Sequence, residues 1–147
     1  MKSFQFSLET LLSLRQETEQ EKRIILAQKV GVLNQIEQRL QEAENRVNAA
    51  FQEESGTLEM LQLRERVMNR SASERRTLEQ PRQSALQEVE KARGAYAQAR
   101  AASAALERLK EKRKEEWAKE AKRQEILRID EVARGSRARG ALKGGVE

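Results

Sequence analysis

The chain has 147 residues and a net charge of +5, and 36% of its residues are charged while only 3% are aromatic. It contains no cysteine and no histidine, so disulfides and thiolate chemistry are excluded, and the commonest metal ligand and general base are missing. We therefore expect no enzyme activity, no metal site and no cofactor. Good helix formers and a single proline predict long helices, and interleaved charges indicate a solvated helix surface without a nucleic-acid patch.

The first apolar segment, residues 4–15, places apolar side chains on more than one face of a predicted helix. One face can pack internally and leave another for a partner, whereas a hydrophobic staple at a helix start explains the same residues without a partner. The partner hypothesis assigns binding residues to this segment: Phe4, Phe6, Leu11, Leu14 and Arg15.

Nothing in the sequence indicates export or insertion into a membrane. The segment after Met1 lacks the continuous apolar core of a signal peptide, because Glu9 interrupts it. No stretch approaches the roughly 20 apolar residues of a membrane span. We therefore expect a cytoplasmic protein without a transmembrane segment.

A heptad pattern predicts the first long helix. Steps of seven from Leu12 give a column in which seven of nine residues are apolar: Leu12, Glu19, Leu26, Leu33, Leu40, Val47, Glu54, Leu61 and Met68. A neighbouring column adds apolar residues that include Ile25 and Val32. A single helix cannot bury such a stripe, so the pattern predicts a partner helix.

Two stretches contain helix-interrupting residues, and either can hold the turn between the predicted helices. Residues 55–57 are Ser-Gly-Thr, and a glycine costs about 1 kcal/mol inside a helix. Within residues 69–81, Ser71 and Thr77 begin pairs with capping-box spacing, and Pro81 can occupy the first position of a helix. Heptad register does not decide, because either turn brings the apolar columns face to face.

The second half repeats the heptad pattern less strongly. Its alanines allow close approach of a facing helix, and Tyr96 and Trp117 can fill gaps between layers. Such a stripe is far more typical of packing than of a ligand site. We therefore predict an all-α fold: two long helices that form an antiparallel coiled-coil hairpin, as one domain over residues 1–134.

A basic segment follows, with nine Lys and Arg against six Glu between Glu107 and Arg128. As a bare charge run it is a solvated helix face, but a lone tryptophan among the charges is typical of an anchor in a binding surface. The binding hypothesis assigns these residues: Lys110, Lys112, Arg113, Trp117, Lys119 and Arg123.

The last residues, 135–147, contain four glycines, which argue against continued helix and predict a flexible basic tail. Gly135 and Gly140 have the outer spacing of a phosphate-binding loop, but Ala141 and Leu142 stand where that motif needs Lys and Ser or Thr. Nucleotide binding is therefore not expected there.

Two segments resemble the FliJ-type family of flagellar export proteins. The first is Phe-x-Leu-x-x-Leu-Leu-x-Leu-Arg, from Phe6 to Arg15. The second is Leu-Glu-Arg-Leu-Lys-Glu-Lys, from Leu106 to Lys112, followed by Glu120-x-x-Arg123-x-Glu125 and Asp130-Glu131-x-Ala133. The resemblance covers most of the chain, which departs from the family pattern at Pro81 and in the glycines after residue 134.

The resemblance implies a two-helix antiparallel coiled coil, similar to the central stalk subunit of rotary ATPases and without a catalytic site. Its implied partners are the hexameric export ATPase FliI, the cytoplasmic domain of the export gate FlhA, and export chaperones. It implies a place in the cytoplasm, at the face of the inner membrane when assembled. The family turn lies near the middle glycine and favours residues 55–57, whereas local capping chemistry favours residues 69–81.

A second class of function stays open at this point. A generic coiled-coil scaffold with a basic helix, binding nucleic acid or an acidic membrane surface, has the same composition. A co-purifying hexameric ATPase would favour the export function, and steeply salt-dependent DNA binding would favour the scaffold.

Overall fold

The computed structural model of the protein describes residues 2–52 and 56–144. The fold is all-α, as predicted: helix α1 spans Glu9–Gln52, helix α2 spans Leu58–Gly144, and the two pack as an antiparallel coiled-coil hairpin. Neither of the described ranges contains a strand. The chain divides into a terminal unit, made of the residues up to Leu14 and those from Ala102 onward, and a middle unit, Arg15–Ala101.

Local chemistry explains where α2 begins. The Thr57 hydroxyl accepts a hydrogen bond from the Met60 amide at 3.4 Å, and the Thr57 carbonyl accepts one from the Leu61 amide at 3.3 Å. Thr57 is therefore the N-cap, and Glu59 lies in the first turn, where a carboxylate favours the helix dipole. The predicted turn at 55–57 lies between the two helices, but residues 53–55 fall outside the described residues.

Residues 69–81 are helical, so the alternative turn does not form there. The Ser71 hydroxyl donates to the Ala43 carbonyl at 3.3 Å, and the Thr77 hydroxyl donates to the Ser73 carbonyl at 2.9 Å. Both hydroxyls thus donate to backbone carbonyls and do not cap the start of a helix. Pro81 lies inside α2, and burial of Leu78 and Ala85 on either side supports the helix through it.

In the middle unit, small and medium side chains form the core. The buried apolar residues there are Ala43, Leu78, Ala85, Val89 and Ala92. Ala43 is 0% exposed, whereas Leu40, in the strongest heptad column, is only half-buried. Alanine lets the facing backbones approach closely, and the longer leucine then extends along the edge of the contact.

Ion pairs fix the antiparallel register of the middle unit. Arg82 Nε lies 2.7 Å from Glu37 Oε1, Arg46 Nη2 lies 2.6 Å from Glu74 Oε2, and Lys29 lies 3.5 Å from Glu88. From Lys29 to Glu37 to Arg46 along α1, the paired residues on α2 run in the opposite direction, from Glu88 to Arg82 to Glu74. These pairs are largely exposed, so each contributes at most about 1 kcal/mol, and their main effect is on alignment.

Tyr96 is the half-buried aromatic of the middle unit. Its hydroxyl accepts hydrogen bonds from Arg23 at 3.3 Å and Arg100 at 3.4 Å, and the Arg23 guanidinium lies 5.8 Å from the ring centroid. The Arg23 hydrogen bond, followed by that from Arg100, lowers the pKa of the Tyr96 phenol from its ordinary value. Tyr96 thus bridges the helices through its polar tip as well as its ring.

The structure differs from the sequence expectation at the C-terminus. Helix α2 continues through Gly135 and Gly140 as far as Gly144, where a non-helical tail was predicted. The residues between these glycines are mostly alanine, arginine and leucine, which are good helix formers and offset the glycine penalty. Residues 145–147 lie outside the described residues, and the flexibility of the tail stays a prediction.

Two buried serines should respond oppositely to alanine substitution. Ser103 is 1% exposed and its hydroxyl has no partner within the described residues, whereas Ser71 is 5% exposed and donates to Ala43. Ser103→Ala should raise the free energy of unfolding by about 1 kcal/mol, because it removes an unpaired buried hydroxyl. Ser71→Ala should lower it by about 0.5–1 kcal/mol. Urea titration followed by circular dichroism would measure both, and a loss of stability in Ser103→Ala would contradict the prediction.

Candidate partner-binding surface

In the terminal unit, the residues before α1 fold across α2. We call residues 2–8 the N-terminal arm. The Phe4 ring lies 6.1 Å from the Trp117 ring at an interplanar angle of 55°, and the Arg113 guanidinium lies 5.7 Å from the Phe6 ring centroid. Arg113 also donates to the Ser7 hydroxyl at 3.0 Å. The arm is therefore held by aromatic, cation–π and hydrogen-bond contacts together.

The first turn of α1 adds an ion pair to the same contact. Lys110 Nζ lies 2.8 Å from Glu9 Oε2. The Glu9 amide in turn donates to the Phe6 carbonyl at 3.1 Å, and this bond ties the arm to the start of the helix. The sequence assigns Lys110 and Arg113 to partner binding, and the structure gives both of them partners within the chain.

The apolar residues of the N-terminal segment divide between two faces. Phe6 and Leu12 are 8% and 3% exposed, whereas Leu11 and Leu14 are 36% and 56% exposed. One face therefore packs internally, Leu11 and Leu14 are exposed on another, and partner binding by these residues stays a prediction. Arg15 is exposed but belongs to the middle unit, whereas Leu11 and Leu14 belong to the terminal unit.

The other predicted binding residues of α2 face solvent. Lys112, Lys119 and Arg123 are exposed, and the last two rim an apolar depression of about 290 Å³ whose apolar lining is Ile126 and Leu127. This gives the terminal unit an open basic face with an apolar centre. Such a face is typical of a surface that meets another protein.

Sequence reasoning missed the apolar residues of this face. Their exposed fractions are 52% for Ile126, 57% for Leu127, 61% for Ile129 and 65% for Val132. The signal was available as four large aliphatic residues within one charged stretch of seven. Leu127 continues a heptad column of the second helix, but Ile126, Ile129 and Val132 lie outside the columns and were overlooked.

The residues that the structure describes contain no group of acidic side chains that could hold a metal ion. Neither helix, over its described length, is apolar enough to cross a membrane. The surface around Lys119 and Arg123 is basic and apolar, which suits recognition of another macromolecule.

Trp117 is the only tryptophan of the chain, so tryptophan fluorescence reports whether the N-terminal arm contacts it. Phe4→Ala should move its fluorescence emission to longer wavelength, because the ring loses the aromatic neighbour that shields it. The aromatic contact should contribute about 0.5–1.5 kcal/mol to arm closure. Tyr96→Phe, an aromatic change in the middle unit, is the control and should leave the emission unchanged. Identical spectra for Phe4→Ala and the unmodified chain would show that the arm does not cover Trp117 in solution.

Comparison with known proteins gives one match. The family model described as FliJ, flagellar FliJ protein, matches residues 4–141. No curated protein and no solved structure matches the chain. The matched range contains the N-terminal arm from Phe4, all of α1 and nearly all of α2.

Proposed function

Because the chain belongs to the FliJ family of flagellar proteins, we propose that it is the stalk-like subunit that docks in the hexameric export ATPase, FliI. Family membership makes the chain a component of flagellar protein export. The observation that carries the finer proposal is the open basic and apolar face of the terminal unit, around Lys119, Arg123 and Ile126.

The composition of that face supports docking to a protein. Exposed lysine and arginine steer an approaching partner with acidic patches, and apolar side chains supply the area that is buried on contact. Lys110, Arg113 and Trp117 contact Glu9, Ser7 and Phe4, so they hold the N-terminal arm against α2. We therefore assign them a positioning role and assign direct contact to Lys112, Lys119 and Arg123.

The remaining parts of the proposal follow from the family. We propose that the protein couples the ATPase to the cytoplasmic domain of the export gate, FlhA, and escorts export chaperones. Leu11, Leu14 and Arg15 are exposed and are candidates for contacts with these partners. We place the protein in the cytoplasm, at the cytoplasmic face of the inner membrane when the apparatus assembles.

Reconstitution with the purified export ATPase tests the proposal. The full chain should bind the ATPase and change its rate of ATP hydrolysis, whereas the chain alone should hydrolyse none, since the family is non-catalytic. Lack of binding at ionic strengths down to about 50 mM would refute docking, because exposed charges attract most strongly there. Tight, steeply salt-dependent binding of duplex DNA in the same assay would favour a nucleic-acid scaffold instead.

A further inference from the structure

A second surface lies in the middle unit and shares no residue with those assigned above. A groove of about 170 Å³ runs along the α1–α2 contact. Its lining combines long basic and small apolar side chains from both helices: Lys22, Ile25, Lys29, Glu88, Lys91, Ala92 and Ala95. We call it the lysine groove.

The floor of the lysine groove is apolar. Ile25 is 38% exposed, Ala92 is buried, and Ala95 is half-buried. Alanine side chains at two successive turns of α2 leave the depression open, whereas larger residues would fill it. Val32, seven residues beyond Ile25 on α1, is 50% exposed and continues the apolar line along the same helix face.

The charge of the lysine groove is unbalanced. Three lysines line it against a single carboxylate, Glu88, which lies 3.5 Å from Lys29. Lys22 and Lys91 therefore form a basic rim on opposite sides of an apolar floor. Two of the three lysine charges in the lining are left for an external anion.

Another groove of the middle unit provides the contrast. Its charged lining consists of three glutamates and three arginines: Glu37, Glu44, Glu79, Arg75, Arg76 and Arg82. Arg82 is already paired with Glu37 at 2.7 Å. The charges that line this groove balance, so the excess of positive charge distinguishes the lysine groove from a generic edge of a helix pair.

We propose that the lysine groove docks an acidic amphipathic helix of a partner protein. An apolar ridge on that helix fills the floor over Ile25 and Ala95, and carboxylates on either side of the ridge pair with Lys22 and Lys91. This is recognition of a helix in a groove, in which apolar residues three, four and seven positions apart act as anchors. The proposal does not depend on docking to the export ATPase, which uses the terminal unit.

A labelled helical peptide of about 18 residues, with leucines at anchor spacing and flanking glutamates, is the direct probe. Fluorescence anisotropy with the full chain should show binding of this peptide and not of a matched peptide with lysines in place of the glutamates. The double variant Lys22→Glu, Lys91→Glu should weaken binding about tenfold or more, because attraction becomes repulsion at both rims. The variant Lys22→Arg, Lys91→Arg should retain it.

Two further variants separate the floor from the charge. Ala95→Gln fills the depression without changing its charge and should also weaken binding about tenfold if the ridge inserts there. Arg75→Glu, Arg76→Glu makes the same charge change in the neutral groove and should leave binding intact. Circular dichroism checks that each variant stays helical.

Three outcomes would overturn the proposal. Equal binding of the acidic peptide to all variants would show that it recognises net charge and not the groove. Equal binding of the acidic and lysine peptides would show that the rim lysines have no role. The third outcome is a dimer of the chain, detected by sedimentation. If the double variant Lys22→Glu, Lys91→Glu abolished that dimer without changing peptide binding, the groove would be assigned to a second copy of the chain.

Discussion

Val89→Asp is expected to lower the free energy of unfolding by roughly 3–5 kcal/mol, the range found when a charge is left unpaired in a protein interior. Val89 lies in the core of the middle unit and is 3% exposed. An aspartate there cannot reach water without separating the helices, and no basic residue is among the buried residues of this unit as the structure describes it. Denaturation by urea at neutral pH, followed by circular dichroism, would measure the change.

Leu86→Asp is the matched control for this prediction. Leu86 lies three residues before Val89 on α2 but is 40% exposed, so its aspartate stays hydrated. We expect a loss below about 1 kcal/mol, typical of a surface substitution. Similar losses for the two variants would show that the helices do not pack with Val89 at their contact.

The second large effect concerns docking to the export ATPase. Reversing Lys112, Lys119 and Arg123 together to glutamate is expected to slow association about tenfold or more at low salt, because exposed charges act mainly on encounter. All three side chains are exposed, so helicity should not change. Surface plasmon resonance with the purified ATPase would give the rate constants.

The choice of these three residues follows from the structure. Lys110 and Arg113 bind Glu9 and Ser7, so reversing either of them would also release the N-terminal arm and confuse the result. A control triple, Arg39, Arg66 and Arg70 to glutamate, makes the same charge change at exposed positions of the middle unit. If the control slows association as much as the test triple does, only net charge matters and the proposed face is incorrect.

The helical pairing was readable from the sequence because coiled-coil packing repeats every seven residues. Val89 and Ser103 lie two heptads apart on α2, and both are buried. The degree to which each side chain is buried was less predictable. Leu40 is only half-buried whereas Ala43 is fully buried, because the closest approach of two backbones selects small residues and a hydrophobicity pattern ranks large ones higher.

The terminal unit was predictable only in parts. The N-terminal and basic segments were each identified as unusual, yet nothing local indicated that Phe4 meets Trp117. Their contact joins a non-helical arm to a helical residue about a hundred residues later in the sequence, so no periodic pattern predicts it. The same limit explains why the sequence did not reveal the contacts of Lys110 with Glu9 and of Arg113 with Ser7.

The contacts that α2 makes with the preceding part of the chain also imply an order of folding. Arg64 and the Ala50 carbonyl are 14 residues apart in sequence, Arg82 and Glu37 are 45 apart, and Arg113 and Ser7 are 106 apart. Closing a loop costs more entropy as the loop lengthens, so nucleation is expected nearest the end of α1, with pairing then spreading like a zipper. The N-terminal arm would close last and reopen first, so its amides should exchange with solvent deuterium well before those around Val89.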